Sequence, residues 1–230
     1  MKIHLMIIAL FAFVNLSANI GTVEEVSGRV KVQHANSFKK ERIKVGYEIL
    51  EEDMLMSSNN ATAVLKLSDG SSVILGSNAT IFFEENKIEQ KKGKIYYHIT
   101  KRDVKNALKI KTPFAIIGIK GTTFVIDASD NGFVALKEGL IGVASIKEEF
   151  ELYKQKVMQD FQNYKQGEME AFEKFKSQIQ YEAPLKTKEF DLSEGKRVMF
   201  KGSDVFENSF HEEDKKIFAE FEKLLHQQQH

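Results

Sequence analysis

The sequence predicts a mainly β fold between residues 19 and 146, because three observations agree there. Apolar residues alternate with polar ones, which places each apolar set on one face of a strand; one such set is Ala61, Ala63, Leu65 and Leu67. Asp69-Gly70 separates this run from the next, and Asp-Gly is a strong hairpin signal. Glycines recur at the spacing of turns between short strands. We expect an antiparallel sandwich or roll, or a solenoid-like domain.

Composition excludes several classes of protein. The chain has 230 residues, with 33 basic and 33 acidic side chains and no Cys. Without Cys there is no disulfide framework, thiolate zinc site or thiol nucleophile. A net charge of zero argues against a dedicated nucleic-acid binder, which would carry a basic excess. The apolar fraction of 42% is too high for a disordered chain.

Residues 1–18 predict a signal peptide. Lys2 precedes an unbroken apolar run from Leu5 to Val14, which is about half the length of a membrane-spanning helix. Small residues before residue 19 favour cleavage after Ala18. We therefore expect an exported, periplasmic bacterial protein. The alternatives are an uncleaved anchor and a buried N-terminal strand.

Three segments of the β region resemble the FecR-domain family, in the family's order. Residues 61–81 (ATAVLKLSDGSSVILGSNATI) resemble its strand–DGS–strand core, residues 111–126 (KTPFAIIGIKGTTFVI) resemble its second signature, and residues 134–143 (VALKEGLIGV) resemble the hairpin that follows. The resemblance covers about residues 22–146. It implies envelope signalling by protein–protein contact. Family members with a cytoplasmic tail and a spanning helix regulate sigma factors, but this sequence shows neither, so we do not expect that transmembrane mechanism.

The second signature supplies candidate protein-binding residues. Pro113 biases the residue before it to an extended conformation, and two glycines around residue 120 suggest a bulge or tight bend. The bend either turns a corner of the fold or presents Lys120 and the Thr hydroxyls to a partner. Lys120 stands where the family more often has Arg, and Lys is only a point charge. The candidates here are Thr112, Pro113, Gly118, Lys120, Gly121 and Thr122.

Residues 147–182 predict a long amphipathic helical arm. Aromatic and apolar residues recur at gaps of three and four, which forms one stripe on a helix. The stripe consists of Phe150, Tyr153, Val157, Phe161, Tyr164, Phe172, Phe175 and Ile179. It either packs on the β-domain or docks a partner or a second copy. Phe161 and Tyr164 are its candidate binding residues.

After Pro184 the chain is predicted to return to the β-domain. Residues 183–206 contain a second strand–Gly–strand pattern around Gly195, which predicts a return hairpin. Residues 207–230 predict a C-terminal amphipathic helix and a polar tail. Ser209 and Glu212 fit a capping box at the start of that helix. Its apolar stripe consists of Ile217, Phe218, Phe221, Leu224 and Leu225.

The sequence contains no catalytic or cofactor motif that we recognise. G-x-S-x-G, Walker, H-E-x-x-H and EF-hand patterns are all missing, so we expect no enzymatic activity, no cofactor and no metal. The segment 87–111 is nevertheless locally basic, with nine Lys or Arg against two acidic residues. These cations are either the solvated face of alternating strands or an anion site. The candidate anion-binding residues are Lys91, Lys92, Lys94, Lys101 and Arg102.

The sequence therefore predicts a periplasmic, non-enzymatic FecR-domain protein that acts as a protein-interaction module, with another envelope protein as its partner and no nucleic acid. The alternative is an envelope protein that holds an anionic glycan or lipid through the basic strip 87–111. Self-association through the helical arm is a third hypothesis.

Overall fold

The computed structural model describes residues 19–84, 87–100, 108–119, 121–155 and 183–226. Within these ranges the chain forms twenty strands and one helix, so the mainly β prediction is confirmed. The predicted signal peptide at 1–18 lies outside the described residues. In the described part, no helix is both long and apolar enough to cross a membrane.

The strands form two large sheets. The eleven-stranded sheet contains β1 (Asn19–Ser27), β4 (Glu48–Leu50), β6 (Thr62–Leu67), β7 (Ser72–Leu75), β10 (Lys94–Ile99), β13 (Thr122–Asp127), β14 (Phe133–Glu138), β16 (Phe150–Lys154), β17 (Leu185–Thr187), β19 (Lys196–Lys201) and β20 (Asp204–Ser209). The nine-stranded sheet contains β2 (Val30–Gln33), β3 (Lys40–Arg42), β5 (Met54–Ser57), β8 (Thr80–Glu84), β9 (Lys87–Lys92), β11 (Leu108–Lys111), β12 (Ala115–Ile119), β15 (Leu140–Ser145) and β18 (Glu189–Ser193). The helix is α1 (Glu212–His226).

The chain winds along the two sheets from one end to the other. The spatial orders are β17-β16-β20-β19-β14-β13-β10-β7-β6-β1-β4 and β18-β15-β12-β11-β9-β8-β5-β2-β3. Both orders nearly follow the sequence, because the chain crosses repeatedly between the sheets. Two pairs, β9 with β11 and β16 with β20, are parallel. Both sheets are therefore mixed, whereas the predicted sandwich or roll was antiparallel; most strand pairs are antiparallel.

The main core contains buried side chains from both sheets. Leu65 and Val73 come from the eleven-stranded sheet and pack in one cluster with Leu55 and Ile81 from the nine-stranded sheet. The alternating set that begins at Ala61 lies in this cluster, as the period of two predicts. Apolar burial of this extent supplies the main driving force for folding in a chain without disulfides.

A second core lies on the other side of the eleven-stranded sheet, under α1. Val64, Ile74 and Tyr96 point away from the main core and pack against the helix. The Tyr96 ring lies 6.2 Å from Phe218, edge to face, and 5.7 Å from Phe221, stacked. The predicted apolar stripe of the C-terminal helix therefore covers this face, and the fold has three layers.

The start of α1 differs from the predicted capping box. Ser209 is the last residue of β20, and the helix begins three residues later. Asp214 supplies the acidic half of the box instead, since its Oδ2 accepts the backbone N–H of His211 at 2.9 Å. Asp214 is fully buried, and its Oδ1 accepts from Nη1 of Arg197 at 2.8 Å. This pair joins the helix to β19.

The predicted helical arm is wrong at its first residues. Phe150 begins strand β16, and Phe150 and Leu152 point into the main core with the period of two. Parallel pairing with β20 and antiparallel pairing with β17 fix this strand, and its pairing partners lie more than thirty residues away along the chain. The rest of the predicted arm, residues 156–182, with Phe161 and Tyr164, lies outside the described residues.

Residues 183–206 contribute to both sheets. β18 pairs with β15 in the nine-stranded sheet, and β19 pairs with β14 in the eleven-stranded sheet. The two strands around Gly195 therefore belong to different sheets and do not form the predicted hairpin with each other. The hairpin partner of β19 is β20.

Candidate functional site

The candidate site lies on the outer face of the nine-stranded sheet, the face turned away from the main core. Alternate residues of its strands are exposed or half-exposed, including Ile116 of β12, Ala144 of β15 and Lys109 of β11. Helix α1 packs on the other sheet. No described element covers the outer face.

Two glycines from different strands lie side by side on this face. Gly118 of β12 is the register partner of Gly142 of β15. Gly142 is in turn opposite Asp191 of β18, and Gly118 is opposite Lys109 of β11. We call this line across four strands the glycine row; its order is Asp191–Gly142–Gly118–Lys109. Its centre carries no side chain, and its ends carry opposite charges.

The adjacent row repeats the arrangement with small and apolar residues at its centre. Glu189, Ala144, Ile116 and Lys111 occupy successive strands in the same order. We call the two rows together the glycine patch. Its acidic flank lies on β18 and its basic flank on β11, so charge separates across its width.

Neither central glycine is required by the fold. A Cβ on Gly118 would have the backbone oxygen of Gly142 as its nearest neighbour, at 3.9 Å, and a Cβ on Gly142 would have Oδ1 of Asp191, at 3.8 Å. Neither residue has a positive φ. Glycine in a strand interior weakens the strand and often marks close approach of a ligand or another backbone. The bare centre of the patch is therefore suited to close contact.

The other described residues of the second signature lie in a turn, inside the fold or at a bend. Thr112 is 2% exposed, and its Oγ1 accepts the N–H of Ala115 at 2.9 Å and donates to the carbonyl oxygen of Ala115 at 3.0 Å. Pro113 lies in this turn. Thr122 is also buried, and its Oγ1 has no hydrogen-bond partner in the part of the chain that the structure describes. Gly121 has φ +87°, the left-handed conformation of a bend.

Of the predicted protein-binding residues, the structure thus places Gly118 on the outer face and Thr112 and Thr122 inside. Lys120, Phe161 and Tyr164 lie outside the described residues. Sequence reasoning missed Gly142, Asp191 and Lys109 as members of a site. A glycine inside an alternating strand was the available signal for Gly142, but its pairing with Gly118 depends on strand register.

The basic strip is divided between two faces of the molecule. Lys91 and Lys92 lie at the end of β9 in the nine-stranded sheet. Lys94 lies in the other sheet, with its Nζ 5.8 Å from the ring centre of Phe133. Lys101 and Arg102 lie outside the described residues. The predicted anion-binding residues are therefore not brought together by the described part of the chain.

Carboxylates lie next to several of these cations. Glu89 lies 3.2 Å from Nζ of Lys111 and 4.0 Å from Nζ of Lys91. Lys87 pairs with Glu84 at 2.8 Å. The local charge of the outer face is therefore smaller than the composition of residues 87–111 indicates.

A polar groove lies beside the C-terminal part of α1, on the other sheet. It encloses about 920 Å³, and its lining includes Lys66, His98, Lys137 and Glu138. Nδ1 of His98 lies 3.0 Å from Oγ1 of Thr123, and Lys137 is paired with Glu222 of the helix. The groove therefore carries charges of both signs, and only some of them are paired within it.

Tyr96, on the wall of this groove, stays protonated. Burial, followed by the nearby carboxylates of Glu222 and Glu138, holds the pKa of its phenol well above the ordinary value. The phenol therefore does not act as a base at neutral pH.

Part of the chain matches a known protein family. Residues 53–142 match the family model described as FecR protein. None of the curated proteins matches. Two crystal structures of a protein from Parabacteroides distasonis, provisionally assigned as an anti-sigma factor, are similar in fold at 11% sequence identity. The TM-scores are 0.48 and 0.49, over 72% and 73% of this chain.

This chain spans 62% and 64% of the lengths of those two chains, less than two thirds in each case. The family match, in contrast, contains the DGS hairpin and the second signature, and Gly142 is its last residue. The predicted resemblance is confirmed over residues 53–142, which match the FecR family model.

Proposed function

We propose that this protein is an exported, non-enzymatic interaction module of envelope signalling, which contacts a protein partner through the glycine patch. The FecR domain at residues 53–142 supports the signalling role. The patch includes Gly118 from the family signature and Gly142 from the hairpin that follows it. It therefore joins the two resembling segments on one surface.

The observation that carries this proposal is the pairing of two glycines that the fold does not need. Each could accept a Cβ without a close contact, and alanine would be the more stable choice by about 0.5–1 kcal/mol. A partner that approaches the backbone closely gives a reason for glycine at both positions. A surface without side chains at two central positions fits an extended or sheet-like protein segment better than a compact solute.

Export is supported by the sequence of residues 1–18. The apolar run from Leu5 to Val14 and the small residues up to Ala18 have the pattern of a signal peptide. The main core holds the domain together without any disulfide. We propose that the mature protein begins at Asn19 and acts in the periplasm.

The anionic glycan or lipid remains the weaker candidate. Lys94 faces away from Lys91 and Lys92, and Glu84 and Glu89 neutralise part of the strip. Exposed ion pairs of this kind weaken the attraction for an external anion. We therefore favour a protein as the partner.

A substitution at Gly118 tests the proposal. Replacement by Arg places a long side chain on the patch, and the Cβ itself fits the strand. The tagged wild-type chain and the variants Gly118→Arg and Gly118→Ala are used as baits in envelope extract. A protein that binds wild type and Gly118→Ala but not Gly118→Arg supports the proposal. Retention of lipopolysaccharide or wall polymer by all three baits, with no protein lost, contradicts it.

A further inference from the structure

We propose that the glycine patch binds the same patch of a second copy of this chain, around a two-fold axis that runs along the strands between β12 and β15. The inference rests on the proposed function in one respect, because it uses the same contact surface. It names the occupant from the charge pattern of the patch.

The pattern is self-complementary. A two-fold axis between Gly118 and Gly142, parallel to the strands, reverses the order of the glycine row when the second copy is laid face to face on the first. Asp191 of each copy then lies opposite Lys109 of the other, while the two glycine pairs face each other. A C2 interface requires this kind of surface, in which one patch complements itself.

The second row obeys the same symmetry. Glu189 of one copy lies opposite Lys111 of the other, and Ala144 lies opposite Ile116. One axis therefore places opposite charges together in both rows, with Lys111 also paired with Glu89 at 3.2 Å in its own copy. Because two separate rows match about the same axis, the self-complementary charge pattern does not depend on a single pair of residues.

The terminal charges of the glycine row are available for a partner. Among the described residues, neither Asp191 nor Lys109 takes part in an ion pair. Both are exposed at the ends of a row whose centre has no side chain. Across the proposed interface each would gain an oppositely charged neighbour. Attraction of this kind adds specificity and speeds association, and salt weakens it.

The centre of the patch contributes apolar contact. Packed sheets ordinarily lie about 10 Å apart, with side chains between them. Glycine on both sides lets the backbones come closer and lets neighbouring apolar groups meet. Leu140, which is 52% exposed and lies two residues from Gly142 on the same face, adds apolar surface at the border. Its exposure gives it area to bury in such a contact.

The proposed contact is small, so the dimer should be weak. Four strands of each copy overlap, which is about 19 Å across at the usual strand spacing. This is at the low end for specific interfaces, where transient complexes are found. We expect a dissociation constant of roughly 10–100 µM, rising with ionic strength.

Charge reversal provides the test, measured by sedimentation equilibrium of the full mature chain. Lys109→Glu places two carboxylates opposite each other, and Asp191→Lys places two ammonium groups opposite each other. Each single variant should dimerise at least tenfold more weakly than wild type. The equimolar mixture should form a heterodimer, because all four facing pairs are then opposite in charge. The double variant Lys109→Glu/Asp191→Lys should dimerise like wild type.

The mixture and the double variant guard against misfolding, because a folding defect in either single variant would not be cured by its partner. Gly118→Arg should abolish dimerisation in every background. A wild-type chain that stays monomeric at about 300 µM, several times the expected dissociation constant, overturns the inference. So does a dimer that both single variants leave unchanged.

Failure of this inference is distinguishable from failure of the proposed function. If the chain is monomeric but a different protein binds in a manner that Gly118→Arg abolishes, the proposed function stands and the second copy is excluded. If neither dimerisation nor the binding of another protein depends on Gly118, the glycine patch is not the contact surface.

Discussion

Gly118 and Gly142 lie directly opposite each other on neighbouring antiparallel strands. The nearest atom to a Cβ would be 3.9 Å away at Gly118 and 3.8 Å away at Gly142, which is ordinary van der Waals contact in both cases. Gly139, three residues before Gly142, is a contrasting case. Its φ is +95°, and a Cβ there would lie 2.7 Å from Cγ2 of Thr122. One glycine is thus imposed by the fold and two are not.

Alanine substitutions should separate these cases. Gly118→Ala and Gly142→Ala should leave the free energy of unfolding unchanged or raise it by up to about 1 kcal/mol, since alanine loses less backbone entropy on folding. Gly139→Ala should lower it by about 1–3 kcal/mol, because its backbone is left-handed and crowded. Urea unfolding measures all three. If Gly118→Ala is as costly as Gly139→Ala, the patch is structural.

Thr112 should prove structural, although the sequence makes it a candidate contact residue. Its Oγ1 binds both backbone groups of Ala115 in a buried turn. Thr112→Val removes the hydroxyl and should lower the free energy of unfolding by about 1–3 kcal/mol, because a buried N–H loses a partner. Thr112→Ser keeps the hydroxyl and is the matched control. Loss of partner binding by Thr112→Val at unchanged stability would instead assign Thr112 to the interface.

The buried pair between Arg197 and Asp214 should hold α1 on the sheet. Asp214 has no exposed surface, and it also accepts the backbone N–H of His211. Asp214→Ala leaves the guanidinium without its carboxylate and should cost about 3–5 kcal/mol of unfolding free energy. Urea unfolding followed by circular dichroism measures this loss.

A double variant tests whether the cost arises from the unpaired charge. Arg197→Met/Asp214→Leu removes both charges and should recover most of the stability, apart from about 1 kcal/mol for the lost cap of the helix. A double variant as unstable as Asp214→Ala would show that the pair is not the cause.

Tyr97 should make the fold sensitive to alkaline pH. Burial raises the pKa of its phenol well above the ordinary value, and its hydroxyl donates to Oε1 of Gln90 at 2.9 Å in the core. The unfolded phenol titrates near pH 10. Above that pH the folded state keeps a proton that the unfolded state loses, so stability is complete below about pH 10 and falls as pH rises.

Comparison with Tyr97→Phe isolates this effect. The variant should be less stable at neutral pH, because Gln90 loses its hydrogen-bond donor. Its urea midpoint should fall less steeply above about pH 10 than that of wild type. Identical slopes in the two proteins would show that Tyr97 does not govern the alkaline response.

The fold was predictable where the signal was local. Alternation places the set from Ala61 onward in the core, and the spacing of Ile217 and Phe218 with Phe221 predicts a helix with one apolar face. The surface under that helix was not predictable, because Val64 and Ile74 look like ordinary strand residues until the third layer covers them. Packing between elements distant in sequence decides such burial.

The failures have the same cause. Phe150 and Tyr153 are three residues apart, which fits a helix, but pairing with β17 and β20 makes a strand of them. Only part of the candidate site could be predicted from the sequence. Gly118 stands in a recognisable signature, whereas Gly142 and Asp191 join it through the register of two further strands. Register depends on the whole sheet, so the sequence does not show which residues become neighbours.

Photo-cross-linking from Ile116 tests most directly whether the outer face contacts protein. Ile116 lies in the glycine patch beside Gly118 and is half-exposed, so a benzophenone side chain there points to the partner. The same group at Glu220, on the exposed side of α1, is the control. We predict that illumination in the native cell gives a protein adduct from residue 116 and none from residue 220. Adducts with lipid or glycan alone, or no adduct from residue 116, would contradict the account.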